Sequence, residues 1–269
     1  MEFRALEKNF PHLKFDFAGR EQLRIEDFLA IDEYFAKNTF GYCINCAAYT
    51  AVDKAEEEIA IANIINAEAV GNLAAVCNKN NTRLIHFSTD YVFDGTASEP
   101  YSEKDEVSPV NAYGHSKLAG EHFAANHHVD TLIIRTSWVY SAYGKNFVKT
   151  MLRLMNEKEQ ISVVNDQYGC PTYAADLADA VMQIIANDIF RSGTYHYCNA
   201  GVITWFEFAS AIREIKQFNC KVNPIPTSGF PTPAKRPAYS ALDTSGFRNA
   251  FNISIPDWKT SLEKCLSAI

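Results

Sequence analysis

The chain has 269 residues, 47% of them hydrophobic and 21% charged, an ordinary globular balance with enough apolar surface for a large core. A net charge of -7 excludes a general basic surface for nucleic acid, whereas a small anionic ligand needs only a local pocket. Met1 to Lys8 is charged and helix-forming with no signal-peptide core, and no run is expected to approach the roughly 20 apolar residues of a membrane span, so a cytoplasmic location is expected.

In chain order, Leu13 to Phe17 alternates and predicts a short strand, followed by an amphipathic helix from Glu26 to Lys37. Tyr42 to Ala48 predicts a strand, Glu56 to Lys79 a long helix and Arg83 to Ser88 another strand. A helix over Asn111 to His127 and a strand over Thr131 to Arg135 continue the alternation. Such alternation predicts an α/β fold: a Rossmann-like parallel sheet flanked by helices and built of right-handed crossovers. Residues 1–140 would form this nucleotide-cofactor-binding part. Residues 141–269 would form a smaller substrate-binding region that partly returns to the main domain.

That second region predicts helices over Asn146 to Glu157, Ala174 to Ala186 and Trp205 to Phe218, with strands over Ile161 to Val164 and Thr194 to Cys198. Prolines at 224, 226, 231, 233 and 237 predict an irregular segment draped over a pocket. Lys235 and Arg236 inside it would either bind a diphosphate or form a solvated basic turn. Seven scattered cysteines predict reduced thiols, and Cys43-x-x-Cys46 lies in a strand, where its two side chains would face opposite ways and hold no zinc.

Ligands of open parallel sheets collect beyond the carboxyl ends of the strands. Here those ends read Ala47-Ala48-Tyr49-Thr50, Ser88-Thr89-Asp90 and Thr136-Ser137-Trp138, and they should line one cleft. Tyr113 and Lys117 stand four residues apart, which puts phenol and ammonium on one helix face. An ammonium beside a phenol favours the phenolate and makes the phenol a usable general acid. With Thr89 on the same substrate oxygen, a carbonyl would be positioned and protonated as it is reduced. The same spacing also arises from a packed ring and a solvated charge.

Ser88-Thr89-Asp90-Tyr91-Val92-Phe93-Asp94-Gly95 with Tyr113-x-x-x-Lys117 resembles the extended short-chain dehydrogenase/reductases. The stretch from Ala47 to Glu56, Arg135 to Tyr140, Asn146-Phe147, Asp166 to Gly169 and Pro233 to Pro237 narrow the resemblance to the dTDP-4-dehydrorhamnose reductases. The resemblance implies reduction of a C4 ketone on a dTDP-sugar by NADPH or NADH, with Tyr113 as proton donor and Lys117 tuning it and holding the nicotinamide ribose. It further implies Thr89 on the ketone oxygen and Asp90 and Trp138 on the sugar nucleotide. Arg24, Ile25, Ala48, Tyr49, Thr50 and Phe87 would line the cofactor, although the family carries an acidic residue where Arg24 stands. Asp16 would hold a ribose hydroxyl or remain a surface carboxylate. A magnesium ion and a homodimer occur among such relatives.

The family's opening strand and glycine-rich turn have no counterpart here, since the first glycine is Gly19. An N-terminally truncated cofactor domain with weakened cofactor affinity is the expectation. Two other functions compete: a non-catalytic cofactor-binding regulatory subunit like that of methionine adenosyltransferase, and a sugar-nucleotide epimerase or dehydratase. The presence of Thr89, Tyr113 and Lys117 together favours the reductase, and Asp90-Tyr91 after Thr89 is not the acidic pair a dehydratase needs.

Overall fold

The computed structural model describes all residues 1–269. Helices α1 (Glu2–Leu6) and α2 (Phe28–Lys37) precede strand β1 (Tyr42–Asn45). Helices α3 (Val52–Ala55), α4 (Ile59–Asn63) and α5 (Ala69–Lys79) follow, with a π-helical turn, Ile64–Glu68, joining the last two. Strand β2 (Arg83–Thr89), helix α6 (Ala112–His127) and strands β3 (Thr131–Thr136) and β4 (Val139–Tyr140) complete the first half. The second half runs α7 (Phe147–Glu157), β5 (Gln160–Val164), β6 (Tyr168–Gly169), β7 (Thr172–Tyr173), α8 (Ala174–Ala186) and β8 (Gly193–His196). It ends with β9 (Ile203–Thr204), α9 (Trp205–Lys216), β10 (Lys221–Ile225), α10 (Ser245–Phe251) and α11 (Trp258–Ser267).

The main sheet has the order β1-β2-β3-β8 and every pairing in it is parallel. Its period of two sorts side chains cleanly. Leu84 faces α2, α5 and α6, together with Ile31, Phe35, Val70, Leu73 and Ala124. Ile85, Leu132, Ile134 and Tyr197 face α8 and α10 on the other side. A separate core in the second half joins α7, α9 and α11 around Phe208, Ile212 and Leu262. Side-chain caps set the helix starts: Asn111 accepts from Gly114, Asn146 from Lys149, and Thr204 forms a capping box with Glu207.

Three expectations change. Leu13 to Phe17 forms no strand, because the sheet ends at β1, which bonds only to β2. Phe15 and Phe17 instead stack on each other at 5.6 Å, with the Arg4 guanidinium 5.0 Å from the Phe17 ring centroid. The proline-rich segment contributes a strand, β10, which pairs with β5. Pro224 is tolerated there because β10 has one free edge and needs no second ladder donor. Lastly, Ile59–Lys79 is long and apolar enough to cross a membrane by length and composition, at mean hydropathy 1.5. It packs as a core helix, with Val70, Leu73, Ala74, Val76 and Cys77 buried against the sheet and its neighbours. All seven cysteines are free.

Candidate active site

Strand β2 delivers Thr89 to the carboxyl edge of the sheet, where the chain turns through a 3-10 helix, Asp90–Val92. The Thr89 hydroxyl caps that turn, accepting from the Tyr91 N–H at 3.2 Å and donating to Asp90 Oδ1 at 3.0 Å. Asp90 is 3% exposed, and its Oδ2 has no partner. Burial pushes this carboxyl up to about 6, opposed by the Thr89 hydroxyl bonded to Oδ1 and by the Ser240 hydroxyl nearby, which itself lies 3.5 Å from the Tyr168 carbonyl. A buried carboxylate oxygen with nothing to accept from is a ready acceptor for a ligand hydroxyl.

Helix α6 crosses above this turn at a distance only glycine permits. A Cβ on Gly114 would lie 2.2 Å from the Tyr91 carbonyl oxygen, and one on Gly120 would lie 2.0 Å from the Asn66 carbonyl oxygen. The close approach sets Tyr113 beside the end of β2, its ring edge-on to Tyr91 at 5.9 Å. Burial pushes the Tyr113 phenol up to about 12, with the nearby Thr89 hydroxyl opposing that rise and the Asp90 carboxylate adding to it.

Lys117, one turn after Tyr113 on the same helix, reaches the strand below it. It is 2% exposed, and its Nζ donates to the Phe87 carbonyl at 2.6 Å and lies 3.4 Å from His86 Nε2. No hydrogen bond joins it to Tyr113, whose acidity is weakened rather than enhanced. Helix α6 packs against β2, and the four-carbon stem of Lys117 spans to the strand. Burial brings its ammonium down to about 8, with Glu121, one turn further along α6, working the other way. Glu121 itself is held by a buried fork from Arg135 of β3, at 2.6 Å to 3.2 Å.

The loop after β1 carries Ala48, Tyr49 and Thr50. Asn66, from the π-helical turn, accepts from the Tyr49 N–H at 2.8 Å and donates to its carbonyl at 3.0 Å and to the Ser116 hydroxyl at 2.9 Å. The loop is thereby tied to α6. The Tyr49 hydroxyl donates to Glu58 at 2.5 Å. The Phe87 ring turns to the other face of the sheet, near Phe3, so only its carbonyl reaches the site. Trp138 adopts a positive φ of 47° after β3 and stacks on Trp205 at 3.5 Å, with room for its ring made by Gly169.

Arg24 and Ile25 are not joined to this group by any hydrogen bond or ion pair. Arg24 donates to Glu26 at 2.6 Å, and Ile25 packs beside the core under α2. Asp16 faces Tyr34, whose phenol its carboxylate helps to push up. Arg236 is held in a fork by Asp53 through two 2.9 Å bonds from Nη1 and Nη2, so its charge is already paired, while its Nε edge makes no hydrogen bond within the protein. Lys235 is exposed, and its carbonyl accepts from Asn111. No group of three or more His, Cys, Asp or Glu side chains is placed to hold a metal ion. Sequence reasoning missed His86, Asn45, Asn66 and Ser240; a polar residue on the buried face of a strand, as His86 is between Leu84 and Ser88, was the available signal.

Comparison with known proteins bears on what this geometry serves. Residues 4–269 match the family described as RmlD substrate binding domain. A dTDP-4-dehydrorhamnose reductase of Burkholderia thailandensis is 44% identical over 240 residues, 83% of this chain and 80% of that protein. A crystal structure of a dTDP-4-dehydrorhamnose reductase from Clostridium acetobutylicum superposes with a TM-score of 0.95 at 38% identity, covering 99% of this chain and 94% of the other. One from Bacillus anthracis, in complex with NADP, superposes with a TM-score of 0.93 at 38% identity, covering 98% and 94%. With the family profile spanning nearly its whole length, this chain belongs to the RmlD substrate binding domain family, among the dTDP-4-dehydrorhamnose reductases.

Proposed function

We propose that the protein reduces the C4 ketone of dTDP-4-dehydro-L-rhamnose to dTDP-L-rhamnose with NADPH or NADH, in the cytoplasm, for cell-surface polysaccharide. The observation that carries this reading is the meeting of Thr89, Asp90 and Tyr113 at the end of β2, with Asp90 Oδ2 left unpartnered. A ketone oxygen placed there takes its proton from the Tyr113 phenol, and it accepts from the Thr89 hydroxyl once that single donor turns from Asp90 Oδ1. Asp90 Oδ2 accepts from a sugar hydroxyl, and Trp138 offers a flat apolar face to the sugar nucleotide.

A nicotinamide cofactor fits the donors present. Lys117 has a carbonyl and an imidazole for two of its directions and one left for a ribose hydroxyl, and the loop of Ala48, Tyr49 and Thr50, tied to α6 through Asn66, supplies backbone and the small side chains of Ala48 and Thr50. When bound, the reduced nicotinamide supplies the hydride to C4. The ketone then gains one hydride at carbon and one proton at oxygen, so the phenol finishes each turnover as phenolate. Residues 1–140 would carry the cofactor and 141–269 most of the sugar nucleotide. The resemblance also carries a homodimer, which light scattering on the purified protein reads directly.

The test is Tyr113→Phe, followed by NADPH oxidation with the dehydro-sugar nucleotide. Loss of the proton donor should lower kcat by about 10²- to 10⁴-fold, with NADPH binding retained. Activity within tenfold of wild type would sink the assignment.

A further inference from the structure

Lys117 is gripped from the sheet side by a pair of residues with no role in the reading above. Asn45, at the end of β1, accepts the Ala47 N–H at Oδ1, 2.9 Å away. That leaves its Nδ2, a donor only, 3.1 Å from His86 Nδ1. The imidazole must therefore present a bare Nδ1 and carry its proton on Nε2. Nε2 in turn lies 3.4 Å from Lys117 Nζ. His86 is fully buried, and its charged form is strongly disfavoured by burial and by Lys117, so the ring is neutral.

An ammonium has three donors and no acceptor, so it cannot receive the Nε2–H. An amine can: it accepts from Nε2–H through its lone pair and still donates to the Phe87 carbonyl and to one ligand hydroxyl. For the ammonium to be accommodated, the imidazole proton has to move to Nδ1 and the Asn45 amide has to turn, which takes the acceptor away from the Ala47 N–H. We infer that Asn45 and His86 are positioning residues for Lys117: the anchored amide selects the imidazole tautomer, and that tautomer favours the amine form of the lysine. The inference rests on the reductase reading only in placing Lys117 at the cofactor.

The other groups around Lys117 do not replace this control. Glu121 of α6 favours the ammonium, but Arg135 of β3 already neutralises it through the buried fork. Tyr113, one turn earlier on α6, is neutral below about pH 12. His86 is the titratable group that β2 turns toward the ammonium, and Asn45 the polar one from β1. The pair thus helps to make Lys117 a group that gains and loses a proton near neutral pH, where a solvated lysine would remain a fixed cation.

Two measurements test this. In protein labelled with ¹⁵N-histidine, long-range ¹H–¹⁵N correlation reads the His86 tautomer directly. Between about pH 6.5 and about pH 10 the wild-type ring should pass from the Nδ1–H to the Nε2–H form as Lys117 deprotonates near pH 8. In Lys117→Met it should hold the Nε2–H form throughout. Asn45→Asp keeps an acceptor for the Ala47 N–H and adds one for an Nδ1–H, so it reverses the bias. It should move the alkaline limb of kcat/KM upward by about one pH unit or more, a tenfold change in the ammonium-to-amine ratio. A wild-type ring with one unchanging tautomer, or a limb unmoved in Asn45→Asp, overturns the inference and leaves the reductase reading standing. Full activity in Lys117→Met overturns the lysine's place in that reading, whatever the tautomer does.

Discussion

An unpartnered carboxylate oxygen in a protein interior costs about 1–3 kcal/mol, and Asp90 Oδ2 is such an atom. Its retention beside Thr89 and Tyr113 is accounted for if a ligand hydroxyl completes it. The titration has a definite sign. The folded carboxyl sits at about 6 against an ordinary 3.8, so the fold opposes its ionisation. The destabilisation is absent below about pH 4, grows as pH rises through that window and is complete above about pH 6. Asp90→Asn is therefore expected to gain stability relative to wild type as pH rises from 4 to 7, while losing at least tenfold in kcat/KM through the missing acceptor. Thermal unfolding at the two pH values checks it; a difference in Tm between variant and wild type that is constant across the window would show that the buried charge is not the cause. Tyr113 was legible as a chemical group from sequence, but its weakened acidity was not, because burial is a property of the packed site.

Helix α6 carries Tyr113 and Lys117, and two glycines decide where it lies. Gly120 meets the Asn66 carbonyl and Gly114 the Tyr91 carbonyl, so neither a helix-propensity argument nor a hydrophobic period would select glycine at these places. Ala at position 120 would meet backbone at 2.0 Å, which no rotamer relieves, so the helix must lift. Gly120→Ala is expected to cost about 1–3 kcal/mol as overpacking and to lower kcat as the phenol moves off the β2 edge. Gly41, with nothing within 4 Å of its added Cβ, is the comparison: Gly41→Ala should remain within about 0.5 kcal/mol. Urea midpoints for the two variants decide it, and equal midpoints would mean the contact is easily relaxed. The element boundaries themselves were largely legible, because Asn111, Asn146 and Thr204 cap their helices and the strands are short apolar runs. The unpaired Leu13 to Phe17 segment was not, since alternation reports an extended chain and pairing needs a neighbour.

At the scale of the whole molecule, the sheet core and the core around Phe208 are separate, and the segment 231–238 reaches between the two halves. Arg236 ties it to Asp53, while Pro237 packs where only a glycine, Gly95 with φ of 82°, leaves space. The ion pair is partly exposed, at 23% and 39% for the two side chains, so its contribution to stability is about 1 kcal/mol or less. Its expected effect is on geometry. Arg236→Ala should raise KM for the dTDP-sugar by about 3- to 10-fold with little change in Tm, as loss of one orienting contact does. Steady-state kinetics beside a melting curve checks this, and an unchanged KM would remove the segment from the substrate site.

The sequence by itself determined the alternation of strands and helices and the family, and it named Thr89, Asp90, Tyr113 and Lys117 as candidates, because periodicity, capping and residue spacing are local quantities. Only the tertiary structure decided what each of them touches. The packing of α6 on β2 set Lys117 onto Phe87 and His86, and the strap from the second half drew Arg236 onto Asp53. Those contacts join residues 30, 31 and 183 positions apart. No local pattern records them, since they follow from which surfaces remain to be buried once the elements have formed.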